Sequence, residues 1–347
     1  MTSRTFLDCR GDTHSLAAVT PVASELGPAL PQPRGRLSEG VVVALRSGRP
    51  ALLDGLDPVY ADSDDDAALA LWTLQELSYR GFRGVEETLE WDARVVGLRV
   101  ALERAWEEEL RALCGAPTGD TVPVDVGSTI LEMAEADDGP SVAAAVQRHA
   151  TVDQVRSLLA QRAVYHLKES DPVAWLVPRL EAGPKSALAA LQADEYGNGV
   201  AGRLHHAMFT AGLQEWGIDA TYGATIDEAY VETLQQSTTV TMFGLHRRLR
   251  GAAAGHLAAF EATSSIPSSR MAQGLRRLGY EGAMAAYYDE HVEADAVHEQ
   301  LAARDICGAM VAREPHLWAD VHLGVRAVFE LEARFATRLL DSWGIPA

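Results

Sequence analysis

The stretch Trp91-Asp-Ala-Arg-Val-Val-Gly-Leu-Arg-Val-Ala-Leu-Glu-Arg-Ala-Trp106-Glu-Glu-Glu-Leu-Arg-Ala-Leu-Cys114 carries apolar residues at i, i+3, i+4 and i+7 spacing, with Glu and Arg on the other faces. That period belongs to an amphipathic helix of several turns. Outward from it the same pattern fills Ala67 to Arg80 and resumes at Ser141 and at Thr151, where Thr151-Val-Asp-Gln154 supplies a capping box ahead of Val155. Pro172, Pro184, the glycines between 197 and 202, Gly217, Gly223, Pro267, Gly279 and Pro315 divide the remainder into further helices, roughly ten segments in all. β-Branched alternation is nearly absent and no period of roughly 20 to 50 residues repeats, so the expectation is an all-α helical bundle rather than a solenoid. Residues 1–62 are rich in Pro, Gly and Ser and end in the acidic run Asp62-Ser63-Asp64-Asp65-Asp66. They read as a poorly structured N-terminal extension ahead of a helical domain over 63–347, with Val41 to Leu45 as a strand or docking segment and Thr118 to Pro140 as a connection.

The chain has 347 residues, 47% of them hydrophobic, and a formal net charge of −19. That is ample material for one large core. The acidic balance argues against a sequence-independent grip on nucleic acid or anionic lipid, which needs a basic surface to displace counterions. Cys9, Cys114 and Cys307 are too few and too scattered for a disulfide framework or a cysteine metal knuckle. The N-terminus lacks a basic-then-apolar leader and no apolar run approaches the roughly 18 to 20 residues of a membrane helix, so a cytoplasmic protein is expected.

The segment Ala283 to Arg304 contains His291-Val-Glu-Ala-Asp295-Ala-Val-His298. Steps of four and three put His291, Asp295 and His298 on one helix stripe that continues upstream through Tyr288 and Met284, and a stripe apolar above and ligand-bearing below faces inward. Gly197-Asn-Gly199-Val-Ala-Gly202 matches the dinucleotide pattern GxGxxG, but the preceding Ser186-Ala-Leu-Ala-Ala-Leu is a helix former where that fingerprint needs a strand. The better reading is helix, glycine-rich break and helix, with His205, Met208, Phe209 and Leu213 on a buried face and Glu195 turned inward at the break. Tyr165-His166-Leu-Lys168-Glu169-Ser170-Asp171-Pro172 ends an earlier helix and places Glu169 where it can bridge two metals. His246, His256 and Glu76 are weaker candidates, the last a carboxylate that needs a partner if buried. Three carboxylates and three imidazoles on three inward segments match a two-iron carboxylate site. His-Glu-x-x-His, Walker-type and Gly-x-Ser-x-Gly patterns are absent.

Tyr165-His-Leu-Lys-Glu-Ser-Asp-Pro172, Gln192-Ala-Asp-Glu-Tyr-Gly197, the His205-His206 pair, Phe243-Gly-Leu-His-Arg-Arg-Leu-Arg-Gly251, Phe260-Glu-Ala-Thr-Ser-Ser265 and Asp289-Glu-His-Val-Glu-Ala-Asp-Ala-Val-His298 resemble the iron-containing redox enzymes of the haem-oxygenase-like superfamily. The resemblance spans about residues 65 to 340. It implies a haem-oxygenase-like helical bundle that holds non-haem iron, with two Fe(II) per chain. It also implies Glu169 as a bridging carboxylate, Glu195 and His205 as ligands from the middle segment, and His291, Asp295 and His298 from the late helix. Tyr165, His166 and Tyr196 are expected to orient those ligands, and Tyr165, His166 and Glu169 to take part in catalysis. The implied reaction is O2-dependent oxidation of a small amine, amino acid or fatty-acid-like substrate with electrons from an external donor, in a possible homodimer. Gly202 stands where family members commonly carry a carboxylate, which predicts a weakened second iron. The competing expectations are a non-catalytic iron- or ligand-binding bundle and a metal-free, thiaminase-like enzyme of the same fold.

Overall fold

The computed structural model describes residues 27–117 and 121–346, apart from the side chains of 293–296. Its helices are α1 (Arg36–Ser47), α2 (Asp64–Glu76), α3 (Ala93–Cys114), α4 (Val126–Glu135), α5 (Val142–Arg148), α6 (Val152–His166), α7 (Asp171–Ala174), α8 (Ala182–Glu195) and α9 (His205–Glu215). They are followed by α10 (Val231–Leu245), α11 (Arg250–Arg277), α12 (Ala283–Gln300), α13 (Ala309–Arg313) and α14 (Trp318–Ser342). No strand occurs among the described residues, and the architecture is the haem-oxygenase-like helical fold. No helix among them is long and apolar enough to cross a membrane.

The ordered body begins earlier than the boundary at residue 62 predicted. Val41 to Leu45 is helix, and Leu37, Val41, Val42, Ala44 and Leu45 of α1 are buried against α2. The acidic run holds this helix in place. Asp66, buried in the first turn of α2, accepts from the Leu37 and Ser38 amides at 3.1 and 2.8 Å, satisfying two of the N–H groups left open at the start of α1. Asp62 pairs with Arg36 at 2.7 Å and Asp65 pairs with Arg34 at 2.5 Å. A charge run that looks solvated in sequence is a set of partners for two arginines and a helix terminus. Residues 1–26 of the expected extension, Cys9 among them, lie outside the described residues. The expected connection from 118 to 140 contains α4, with Asp125 capping it through the Ser128 amide.

The capping box at Thr151 forms as the sequence predicts. The long helix α11 is packed closely against α14 through small residues, since a Cβ on Gly255 would stand 2.1 Å from the Val321 carbonyl oxygen, and one on Gly324 2.1 Å from that of Ala252. Two apolar clusters result, one joining α1, α2, α3, α10 and the first halves of α11 and α14, the other joining α5, α6, α9, the start of α12 and the ends of α11 and α14. Polar residues from α6 to α12 meet between them.

Candidate metal centre

Four elements deliver the side chains expected from the sequence. The turn after α6 carries Glu169, the last residue of α8 is Glu195, the first of α9 is His205, and α12 carries His291 and His298 one above the other. All five side chains are buried. Glu169, His205 and His291 bring one ligand atom each to within 4.8 Å of one another, and Glu195, Glu261 and His298 form a second set of the same kind. The sets touch through Glu195, whose Oε2 lies 3.0 Å from His205 Nδ1 and whose Oε1 lies 3.6 Å from His298 Nδ1. Glu169, the bridging residue of the sequence reading, belongs to the first set, 3.7 Å from His291 Nε2. Asp295 is on α12 between the two histidines, and its side chain lies outside the described residues.

Glu261, in the middle of α11, is a member of the second set that sequence reasoning missed. Its Oε2 is 3.4 Å from His298 Nδ1. Gly202 does not supply this position: it is exposed, and a Cβ there would meet nothing within 4 Å.

Outer partners fix these side chains. His291 donates from Nδ1 to the Tyr287 carbonyl at 2.8 Å, leaving Nε2 to face Glu169. The Tyr287 hydroxyl donates to Glu169, 3.1 Å from each oxygen, and His166 Nδ1 is 3.1 Å from Oε1. Ser170 Oγ donates to Glu195 Oε2 at 2.9 Å. Tyr287 and Ser170, like Glu261, were not singled out in sequence. Of the residues expected to orient ligands, His166 does so directly. Tyr165 lines the adjoining cavity, and Tyr196 donates instead to Asp171 at 3.0 Å. Met208 is only partly buried on α9, whereas Phe209 and Leu213 are fully buried.

The electrostatics favour cations. Nδ1 of His205 and Nδ1 of His298 are buried without a hydrogen-bond partner, although carboxylate oxygens stand 3.0 to 3.6 Å away outside hydrogen-bond geometry. Imidazole nitrogens and carboxylates converging on a shared point form an N/O donor set of the kind that suits iron. Burial lowers the pKa of His298 but is outweighed by Glu261, Glu195 and Asp194, which lift it to about 9. Burial likewise opposes and Glu195 raises that of His205. Burial raises Glu169, yet His166 and His291 hold it well below the usual carboxylate range. In the metal-free protein the proton on His298 therefore stands where a cation would.

Beside both sets lies a cavity of about 20 Å³ lined by Glu169, Glu195, Glu261, His291 and, on its other walls, Tyr165, Val173, Leu191, Gln192, Leu257 and Phe260. No Lys or Arg lines it. His256 completes the wall, pushed down to about 4 by burial and hence neutral at pH 7. The other weak candidates lie elsewhere. Glu76 is fully buried with Lys168 Nζ at 3.0 Å and the Tyr222 hydroxyl at 2.6 Å, and His246 pairs with Glu103 at 2.6 Å.

Residues 156–333, just over half of the chain, match the family model described as iron-containing redox enzyme. No curated protein matches the sequence. Among solved structures, the chain is similar to a CADD-like protein of unknown function from Nostoc punctiforme PCC 73102, at 18% identity and a TM-score of 0.44 over 69% of this chain and 97% of that one.

Proposed function

The chain belongs to the iron-containing redox enzyme family, and from that premise we propose that it is a non-haem diiron oxidase or oxygenase that uses O2 to oxidise a small amine, amino acid or fatty-acid-like substrate. The observation that carries this reading is the pair of buried ligand sets joined at Glu195. Glu169, His205 and His291 would hold one Fe(II), and Glu195, Glu261 and His298 the other, with Asp295 added by its helical spacing. When bound, the irons supply the one-electron steps and the O2 chemistry that no side chain here can perform. Three buried glutamates beside a cavity without a Lys or Arg are costly unless positive charge neutralises them; a protonated His298 supplies part of it in the metal-free protein, and two divalent ions would supply it when bound.

The protein's own part is positioning and exclusion of water. Tyr287 and His166 clamp Glu169, and Ser170 clamps Glu195, so both carboxylates keep fixed directions as charge at the site changes. Tyr165, its hydroxyl pKa driven well up by burial, stays protonated and presents a neutral donor to the cavity wall. Val173, Leu191, Leu257 and Phe260 keep that wall apolar, which protects a reactive centre from water.

The test is anaerobic Fe(II) titration of metal-free protein with elemental analysis, followed by oxygen uptake with and without amine, amino-acid and fatty-acid candidates. Two irons per chain and substrate-accelerated uptake are expected. Two irons without such acceleration would identify an iron-binding bundle, and no iron a metal-free enzyme.

A further inference from the structure

The glycine-rich turn between α8 and α9 is not absorbed by the ligand sets, and its geometry is unusual. Asn198 has φ 51°, the sole non-glycine residue with positive φ among those described, and it sits between Gly197 at 66° and Gly199 at 82°. A left-handed asparagine is tolerated because its short polar side chain bonds locally. Here its Nδ2 donates to Asp194 Oδ1 at 2.8 Å. The other oxygen of Asp194 accepts from His298 Nε2 at 3.0 Å. His298 Nδ1 is the nitrogen that faces Glu195 and Glu261, buried and without a hydrogen-bond partner.

We propose that Asn198 and Asp194 are positioning residues, a relay that holds the Nε2 proton of His298 and so presents its Nδ1 to the second ligand set. The inference rests on the reading of that set as a metal site. An ionised carboxylate only accepts, so Asp194 requires a proton on Nε2, and once a metal replaces the proton on Nδ1 that tautomer is the one ready to ligate. Asn198 donates to the other oxygen and keeps the Asp194 carboxylate from rotating into solvent, to which its side chain is 44% exposed. The glycines make the turn tight enough to do this. A Cβ on Gly197 would lie 2.6 Å from the Arg203 carbonyl carbon and 2.7 Å from the Leu204 nitrogen, so the loop folds directly onto the start of α9. One turn thereby sets three ligands: Glu195 before it, His205 after it, and His298 through Asp194. The sequence that imitates a dinucleotide fingerprint serves a metal site.

The experiment uses the full chain labelled with ¹⁵N-histidine and loaded with Zn(II), a diamagnetic probe. Long-range ¹H–¹⁵N correlation distinguishes a metal-bound Nδ1 from a metal-bound Nε2 without any turnover. The expected result is His298 bound through Nδ1 with Nε2–H retained. In parallel, anaerobic Co(II) titration of Asp194→Ala should weaken the second equivalent by about 10- to 100-fold and leave the first unchanged. Asn198→Gly keeps the left-handed backbone and deletes only the amide, so a smaller loss at the same equivalent is expected, while Asp194→Glu should recover part of the affinity. Zinc on Nε2 of His298, or unchanged second-site affinity in Asp194→Ala, overturns the relay and leaves the diiron reading standing. Absence of metal binding in the unaltered chain overturns both.

Discussion

Raising the pH should tighten the second metal and loosen the metal-free protein, with both trends set by His298. In the metal-free fold burial lowers its pKa, but Glu261, Glu195 and Asp194 prevail and raise it to about 9. A metal entering between Glu195 and Glu261 must displace the Nδ1 proton. At pH 7 the group is two units below that value, so the apparent affinity of the second equivalent is about 100-fold below its high-pH limit. Each unit gained up to about 9 returns roughly tenfold. For folding the sign is reversed. A histidine whose pKa is raised above its unfolded value of about 6.5 contributes stability that is fully present below pH 6.5 and is lost as the pH climbs through about 9, at most about 3 kcal/mol for this shift. The assay is anaerobic Co(II) calorimetry at pH 6.5, 7.5 and 8.5 in weakly coordinating buffer, with thermal melts of metal-free protein over the same range. A rise of roughly 100-fold in second-site affinity across those two units is expected. A flat second-site affinity would refute the placement of His298 Nδ1 among the ligands.

Glu261→Gln should remove one metal equivalent while circular dichroism stays unchanged, because the carboxylate is a ligand candidate and the amide nearly matches its volume; elemental analysis showing two metals would count against Glu261. Gly202→Glu should leave the stoichiometry as it is, since that position faces open space, and a gain of metal in the variant would return the missing carboxylate to Gly202. Lys168→Met should destabilise the fold by about 3–5 kcal/mol by stranding the buried Glu76, and adding Glu76→Gln should recover most of the loss, measured by denaturant titration. Equal stability of the single and double variants would show that the pair does not couple α2 to the segment bearing Glu169.

The ligands nearest to one another along the chain are the ones whose grouping was legible without coordinates. His291 and His298 share a stripe because helical geometry alone brings i and i+7 to one face, and Glu195 and His205 flank a break that glycines announce. The capping box at Thr151 is an equally local property of the sequence. Glu261, Tyr287, Ser170 and Asp194 carry no such signal. Each acquires its part only when separate segments pack together, Ser170 against the end of α8 and the others across α11 or α12, and no periodicity reports which segment becomes a neighbour. The docking of α1 has the same origin. Asp62, Asp65 and Asp66 look like solvated charge in one dimension, and become a helix cap and two ion pairs once α1 returns to lie on α2. What the sequence determined by itself was the all-α class and the inward stripes, because both follow from 3.6 residues per turn. Which carboxylate completes the second set, and which nitrogen of His298 it meets, was decided by tertiary packing, since those distances depend on how separate helices cross.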